Sequence, residues 1–437
     1  MNEKLKVSSI KLREIFYLLA MGIMPLYIVA RLTQYKLLYI YTVFVFYILT
    51  ILSFYYSKGF LYVLKKNILI VGLFASFYLS AIWGVRNMGV IRASGIVTIY
   101  LIVYFIFCFV AANYTSKEIG RVYKFLPIFL FILNIFLIYK FQNIRIETTQ
   151  ISEFLQSYSQ GTAKLMDAKE AKDVLRSFPN HMVALVEVCI PFLLYFVKFQ
   201  RRKVFIYMTL TLTLFNILIS QSRSAYIIFV IAVVLTALLY SRSIFKSIKN
   251  VCSVFLIMVV IIAILLYIPQ TNKLINIAWH RFISFPKNIQ IFMEEGQSTT
   301  GQRMEMYQTG FRIIREHPIL GIGYGNFKLY MEKIYGTGII SHNVIITVWT
   351  SAGIIGLTLF LCIIFKAFKN LWRRYKFYYK SDPEKAYWFL ANWIALFILL
   401  IHGQTRPLLV NPIFYLPLAV GLMDEEAGQR SDPVQAD

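Results

Sequence analysis

One histidine stands where a polar loop meets a long apolar run. His342 lies in Ser341-His342-Asn343, and the run NVIITVWTSAGIIGLTLF begins with that asparagine. A histidine with a near-neutral pKa can take a proton from a sugar hydroxyl without being charged beforehand. Asn343 has the amide groups to orient it. We predict His342 as a general base, with interfacial filling of a helix end as the alternative.

Two arginines are suited to binding an anion. Arg223, in ISQSRSAY, lies in a very short turn between two apolar runs. Arg303 lies in the first turn of a predicted amphipathic helix, where free backbone N–H groups also attract an anion. A guanidinium at either place can hold a phosphate through two hydrogen bonds. The alternative is a surface or end-anchoring arginine.

Four further residues are weaker candidates. Gly323, in Gly321-Ile-Gly323-Tyr-Gly325, predicts a tight turn that exposes backbone N–H groups. Glu187 is an acid well inside an apolar run, where an ionisable group is either functional or a neutral helix-packing residue. Arg281 and Arg406 lie on the predicted outer side, where the positive-inside trend does not call for arginines, so we expect an anionic partner for each.

The composition defines the class of protein. The chain has 437 residues, of which 58% are hydrophobic and 15% charged. Its mean hydropathy of +0.63 is outside the range of soluble globular proteins. The net charge of +24 is spread between apolar runs and forms no separate basic domain, which argues against nucleic-acid binding. The sequence therefore predicts a polytopic, all-α integral membrane protein.

The apolar runs predict about twelve transmembrane helices. They lie at 15–30, 37–56, 68–84, 93–112, 125–139, 182–197, 204–220, 225–240, 251–268, 343–365, 387–401 and 409–422. With twelve spans, the short Lys- and Arg-rich connections all fall on one side, which the positive-inside rule makes cytoplasmic. Both termini are then inside.

This count divides the chain into four parts. Residues 1–268 hold spans 1–9, with an outer loop at 140–181, and residues 269–342 form a large outer catalytic loop that carries short helices. Residues 343–422 hold spans 10–12, and 423–437 form a disordered cytoplasmic tail. The active site is predicted on the outer, extracytoplasmic side of the membrane.

The residue types at hand favour chemistry without a metal. The four cysteines lie in or beside apolar runs without CxxC spacing, and the sequence has no Asp-x-Asp or His-x-x-x-His pair. Glycosyl transfer that depends on a metal usually calls for such acids. We expect neither a metal nor a cofactor.

Four motifs follow one another along the chain: FPNHMVALVEVCIPF at 178–192, SQSRSAY at 220–226, GQRMEMY followed by HPILGIGYGNF at 301–327, and SHNVIITVWTSAGIIGL at 341–357. Together they resemble the O-antigen ligase and O-antigen polymerase family of bacterial envelope glycosyltransferases. The resemblance also covers the order of the spans and the large outer loop between the ninth and the tenth.

The resemblance implies an inverting, metal-independent glycosyl transfer at the outer face of the inner membrane. The donor would be a glycan on undecaprenyl pyrophosphate, bound by Arg223 and Arg303, and His342 would activate the acceptor hydroxyl. A glycosyl pyrophosphate has a good leaving group, so arginines that stabilise its charge and one base can suffice.

Three functions stay open. A ligase would use the lipid A core as acceptor, in lipopolysaccharide biosynthesis. A polymerase of O-antigen or capsule polysaccharide would use a second lipid-linked glycan, with a chain-length regulator as partner. A flippase for lipid-linked oligosaccharides is disfavoured, because its basic residues would line a cavity inside the spans, whereas the arginines here gather at the outer boundary.

Overall fold

The computed structural model describes helices and their connections in two compact parts of the chain. The described residues are 68–83, 126–144, 180–199, 203–219, 223–241, 299–335, 341–405, 408–410 and 412–422, with single positions between 45 and 67 and between 243 and 267. Every regular element among them is a helix.

Ten α-helices and one 3₁₀ turn make up the described part of the chain. They are α1 (Ile68–Trp83), α2 (Leu126–Ile144), α3 (Asn180–Phe199), α4 (Lys203–Ile219), α5 (Arg223–Tyr240), α6 (Thr299–Glu316), α7 (Asn326–Tyr335), α8 (Val344–Tyr378), α9 (Pro383–His402), the 3₁₀ turn Leu408–Val410, and α10 (Pro412–Leu422). Helices α2–α5 lie in one unit, and α1 with nearly all of α6–α10 in the other.

Eight helices coincide with predicted spans, and all of them except α8 begin and end within about five residues of the predicted limits. Two of them, α8 and α9, are long and apolar enough to cross a bilayer, and α1, α2, α4 and α5 contain shorter apolar stretches. The predicted spans 15–30, 37–56, 93–112 and 251–268 lie outside the described residues, apart from single positions. The all-helical class is confirmed for the described part, while the count of twelve stays a prediction.

The unit of α2–α5 is built around α4, which contacts α2, α3 and α5. A buried polar cluster joins α2 to α4: Asn134 Nδ2 donates to Thr213 Oγ1 at 3.0 Å, and Asn216 Nδ2 donates to Asn134 Oδ1 at 2.7 Å. Between apolar helices such amide pairs satisfy each other and fix the helix register. Lys198 Nζ donates to Tyr240 O at 3.0 Å, which places the last turns of α3 and α5 together.

The other unit is organised around α8, which contacts α1, α7, α9 and α10. The start of α8 meets the end of α9, because Val344 N donates to Gly403 O at 2.7 Å. The far end of α8 meets the end of α10, because Arg374 Nη1 donates to Val420 O at 2.8 Å. Helix α9 is therefore antiparallel to α8, and α10 parallel to it. These relative directions agree with the predicted alternation of spans 10–12.

Helix α8 differs from the predicted span 343–365 in two ways. It continues to Tyr378, and its backbone is not helical at Gly353, where φ is 64° and ψ is −163°. The continuation is expected physically, because neither glycine nor proline occurs between Leu357 and Asp382 to end the helix. The break at Gly353 divides α8 into a short first part and a long second part.

Candidate active site

The backbone beside His342 is fixed by a helix cap. Asn343 has an extended backbone, and its Oδ1 accepts hydrogen bonds from Ile345 N at 2.9 Å and Ile346 N at 3.1 Å. Asparagine is among the best N-cap residues because its short side chain reaches these otherwise unpaired N–H groups. The structure therefore gives Asn343 the role of starting α8 directly after His342.

The same cap is tied to the end of α9. Asn343 Nδ2 donates to Gln404 Oε1 at 3.0 Å, and Gln404 Nε2 donates to Leu400 O at 3.1 Å. The backbone bond from Val344 N to Gly403 O runs beside this pair. Two chain segments distant in sequence thus fix one point of the backbone. The backbone that follows His342 is therefore restrained from two directions, and such restraint helps to hold a general base in position.

His342 is half-buried, and its Nδ1 atom is shielded from solvent. Its neighbour Ser341 is buried, with its hydroxyl oxygen 3.4 Å from Asn343 N. One side of the imidazole therefore faces protein. This placement is compatible with a base held in a single orientation.

The loop between α6 and α7 docks on the break in α8. Ile322 N donates to Thr350 O at 2.8 Å, Gly323 N donates to Ser351 O at 3.0 Å, and Ile354 N donates to Pro318 O at 2.8 Å. The break would leave these helix groups without intrahelical partners, and in an apolar surrounding each unpaired group costs several kcal/mol. The loop supplies the missing partners.

Two glycines make this docking sterically feasible. A Cβ on Gly353 would lie 1.9 Å from Ile319 O, and one on Gly321 would lie 2.6 Å from Thr350 O. Both residues also have positive φ, 64° and 68°, which side chains rarely tolerate. Helix α1 covers the loop: Ser80 Oγ donates to Leu320 O, and the rings of Phe77 and Tyr324 lie 5.3 Å apart.

Gly323 itself is buried within this docked loop. Its φ of 87° confirms the tight turn, but its N–H group donates to Ser351 O. The sequence predicted a turn with N–H groups available to a ligand. The structure shows instead that this N–H group pairs with the protein's own helix.

Helix α6, which carries Arg303, packs against the start of α8. A Cβ on Gly310 would lie 2.6 Å from Ile346 Cγ2, so a glycine is needed for this close approach. Arg303 precedes Gly310 by seven residues, about two turns, and therefore occupies the same helix face about 10 Å along the axis. The structure brings the helix of Arg303 against the first turn after His342.

A small apolar core holds this arrangement together. It contains Met306 and Ile313 of α6, the loop residue Ile322, Phe327 and Met331 of α7, and Ile346 of α8. Because α6, α7, the docked loop and α8 share these side chains, a shift of one element would disturb the others.

A polar contact outside the membrane span links α6 to α7. The Tyr330 hydroxyl donates to Glu316 Oε2, and Arg312 Nε donates to Glu316 Oε1 at 2.9 Å. The Tyr330 hydrogen bond and then the Arg312 contacts lower the pKa of Glu316 below its ordinary value. Burial, and then the Glu316 bond, raise the pKa of Tyr330.

The predicted site residues fall into three groups. His342, Asn343, Gly323 and the helix of Arg303 belong to the unit organised around α8. Arg223, the first residue of α5, and the fully buried Glu187 of α3 belong to the other unit. Arg281 and Arg406 lie outside the described residues. The turn at Gly323 uses its N–H group within the protein, and the functional roles of the other seven residues stay predictions.

Sequence reasoning missed Gln404 and the break at Gly353. The signal for Gln404 was its position as a polar residue directly after a long apolar run. The signal for Gly353 was the small-residue segment Thr350–Gly353 inside a span. Among the described residues, no three His, Cys, Asp or Glu side chains come together as a metal site.

A comparison with family models gives a match to part of the chain. The model described as O-antigen ligase matches residues 208–361, which run from α4 through the first part of α8. Residues 208–361 belong to the O-antigen ligase family. No curated protein matches the chain.

The region that matches the O-antigen ligase model includes five of the eight predicted site residues. Arg223, Arg303, Gly323, His342 and Asn343 all lie within the match, as do both sides of the contact between loop and helix break. Proteins of this family are membrane proteins with activity of the glycosyltransferase type, and the apolar helices of this chain agree with that class.

Proposed function

We propose that this protein transfers a glycan from undecaprenyl pyrophosphate to an acceptor hydroxyl at the outer face of the bacterial inner membrane. The observation that carries the proposal is the contact of Gly310 with Ile346. Through it the helix with Arg303 lies against the first turn after His342. A cation-bearing helix beside a restrained histidine is the arrangement that this transfer needs.

In the proposed reaction, the oxygen of the acceptor hydroxyl attacks the anomeric carbon of the donor glycan, and His342 removes the proton of that hydroxyl. The bond from that carbon to the pyrophosphate oxygen breaks, and the configuration inverts. Arg303 and Arg223 hold the departing pyrophosphate and stabilise the charge that grows on it. Because both charge stabilisation and proton removal come from the chain, the reaction is proposed to need no metal ion.

The acceptor separates ligase from polymerase. We place the ligase first, with the lipid A core as acceptor, and the polymerase second, with another lipid-linked glycan as acceptor. The family description favours the ligase. A flippase is the third reading and needs no base at His342.

The test is transfer by the purified full chain in liposomes containing undecaprenyl-pyrophosphate glycan, with EDTA present. Lipid A core and a second lipid-linked glycan are offered in parallel. Product on lipid A core supports the ligase, and elongated lipid-linked glycan supports the polymerase. Transfer abolished by EDTA and restored by a divalent cation would contradict the metal-independent mechanism. Movement of donor across the bilayer without transfer would favour the flippase.

A further inference from the structure

The second part of α8 carries exposed basic side chains on a single face. Their spacing is three, four and three residues, so they fall within an arc of about 80° around the helix axis. We name them the basic stripe: Lys366, Lys369, Arg373 and Lys376, all exposed.

The basic stripe continues the face of α8 that looks away from the protein. Before it, the exposed apolar side chains on the same side of the helix are Ile354, Ile355, Leu361 and Phe365, between 43% and 69% exposed. The opposite face is buried. A ridge of exposed apolar residues in a membrane helix faces lipid tails, so the basic stripe begins on the lipid-facing side.

The length of α8 sets where the stripe meets the bilayer. Residues 344–365 contain no charged side chain, and 22 residues at the helical rise, with the break at Gly353 among them, extend about 33 Å, close to the thickness of the hydrocarbon core. Lys366 therefore falls at the edge of the hydrocarbon, and Lys376 about 15 Å beyond it. Phe377, at 70% exposure, lies beside the stripe as an aromatic residue of the interface.

Arg374 lies on the same helix but differs from the stripe residues because it is buried. It is 6% exposed and donates to Val420 O at 2.8 Å, with its guanidinium 5.5 Å from the centre of the Phe389 ring. Its charge serves helix contacts inside the protein. The stripe residues form no salt bridge with the described part of the chain, and no Asp or Glu occurs between Val344 and Asp382.

We propose that the basic stripe binds the headgroups of anionic phospholipids at the membrane boundary beside α8. Lipid is the occupant that fits, because the stripe stands on the same helix face as the lipid-facing ridge and starts where the hydrocarbon ends. Its charge is complementary to phosphodiester headgroups, and each basic residue near an anionic surface strengthens binding about fivefold. The proposal is independent of the transfer reaction.

The experiment measures lipids retained by the detergent-solubilised full chain in native mass spectrometry, with phosphatidylglycerol and phosphatidylcholine in competition. The test variant is Lys366→Gln/Lys369→Gln/Arg373→Gln. The matched control removes three exposed charges from the outer-loop region, Arg315→Gln/Lys328→Gln/Lys333→Gln. We expect the wild type and the control to prefer phosphatidylglycerol, and the stripe variant to lose at least tenfold of that preference.

Two further measurements keep the proposal open to refutation if the stripe variant folds poorly. Lys366→Arg/Lys369→Arg keeps the charge and should keep the preference, and added salt should weaken phosphatidylglycerol binding to the wild type. Equal retention of both lipids by the wild type would overturn the proposal. An equal loss of preference in the control variant would also overturn the proposal. The same holds if the free headgroup without acyl chains competes equally well, or if the preference appears only after residues 423–437 are deleted.

Discussion

Replacing Gly353 by alanine tests whether the docked loop depends on the break in α8. The new Cβ would lie 1.9 Å from Ile319 O, a backbone atom that cannot move away alone. Alanine also resists a φ of 64° with a ψ of −163°, a conformation that costs about 1–3 kcal/mol outside glycine. We expect alanine to straighten this part of α8 and expel the loop.

The cost follows from the contacts that would be lost. Three backbone hydrogen bonds join the loop to the break, at 2.8, 3.0 and 2.8 Å. Each contributes about 0.5–1.5 kcal/mol net. Together with the backbone strain of about 1–3 kcal/mol, Gly353→Ala should destabilise the docked state by about 2.5–7.5 kcal/mol. Because the loop shares its apolar core with α6, transfer activity should fall at least tenfold.

The matched control is Gly72→Ala in α1. A Cβ there would lie 3.5 Å from Leu359 Cδ1, an ordinary contact with the end of a flexible side chain. In a helix, alanine is favoured over glycine by up to about 1 kcal/mol. This variant should therefore keep wild-type stability and activity.

Amide hydrogen exchange is the assay for the docked loop. In the wild type, the N–H groups of Ile322 and Gly323 should exchange slowly because both are bonded to carbonyls of α8. In Gly353→Ala they should exchange faster by two orders of magnitude or more, while Gly72→Ala leaves them protected. Protected amides and full activity in Gly353→Ala would refute the reasoning.

Three further outcomes follow from single contacts. Gln404→Leu should lower kcat for transfer about tenfold or more with KM little changed, because it removes the hydrogen-bond acceptor of Asn343 Nδ2. Gln404→Glu keeps an acceptor oxygen and should recover most of the activity. Equal losses in the two variants would contradict this positioning role. The ionised Glu316 carboxylate stabilises the α6–α7 contact at pH above 4.5, its ordinary pKa, and this stabilisation should be lost as the pH falls through the lowered pKa of the folded state. Tyr330→Phe removes one cause of the lowered pKa and should therefore weaken this acid dependence, measured by hydrogen exchange of the α7 amides. Arg303→Gln should weaken donor binding at least tenfold in a direct binding titration and Arg303→Lys less so, since lysine keeps the charge but not the two-bond grip.

Much of the described fold could be predicted because apolar runs set helix positions. Helix α3 occupies 180–199 where 182–197 was predicted, and α9 occupies 383–402 where 387–401 was predicted. The amphipathic helix at Arg303 is confirmed as α6. The positions and lengths of these helices could be predicted because they depend mainly on the hydrophobic pattern of the sequence.

The break in α8 could not be predicted in the same way. Gly353 sits in a continuous apolar run, and its unusual dihedral angles arise only because the distant Pro318–Gly323 segment supplies hydrogen-bond partners. Likewise, the pairing of Asn343 with Gln404 joins positions 61 residues apart in sequence. Long-range partners of this kind leave no periodic signal.

The candidate site was predicted residue by residue, but its construction was not. The position of His342 at a helix start is confirmed, and Asn343 caps that helix. The role of Gly323 changes, from an exposed turn to a docked one, because its N–H group has a partner in α8. Sequence alone gives the residue types suited to the chemistry, whereas the contacts decide which backbone groups are already used.

The central claim is that His342 acts as the base in glycosyl transfer. Its most direct test is the single-turnover rate from undecaprenyl-pyrophosphate glycan to a saturating acceptor, measured for the wild type, His342→Gln and the Gly72→Ala control. General-base catalysis predicts a fall of about 10²–10⁴-fold for His342→Gln, with donor affinity unchanged and the control at the wild-type rate. A rate for folded His342→Gln within twofold of the wild type would contradict the account.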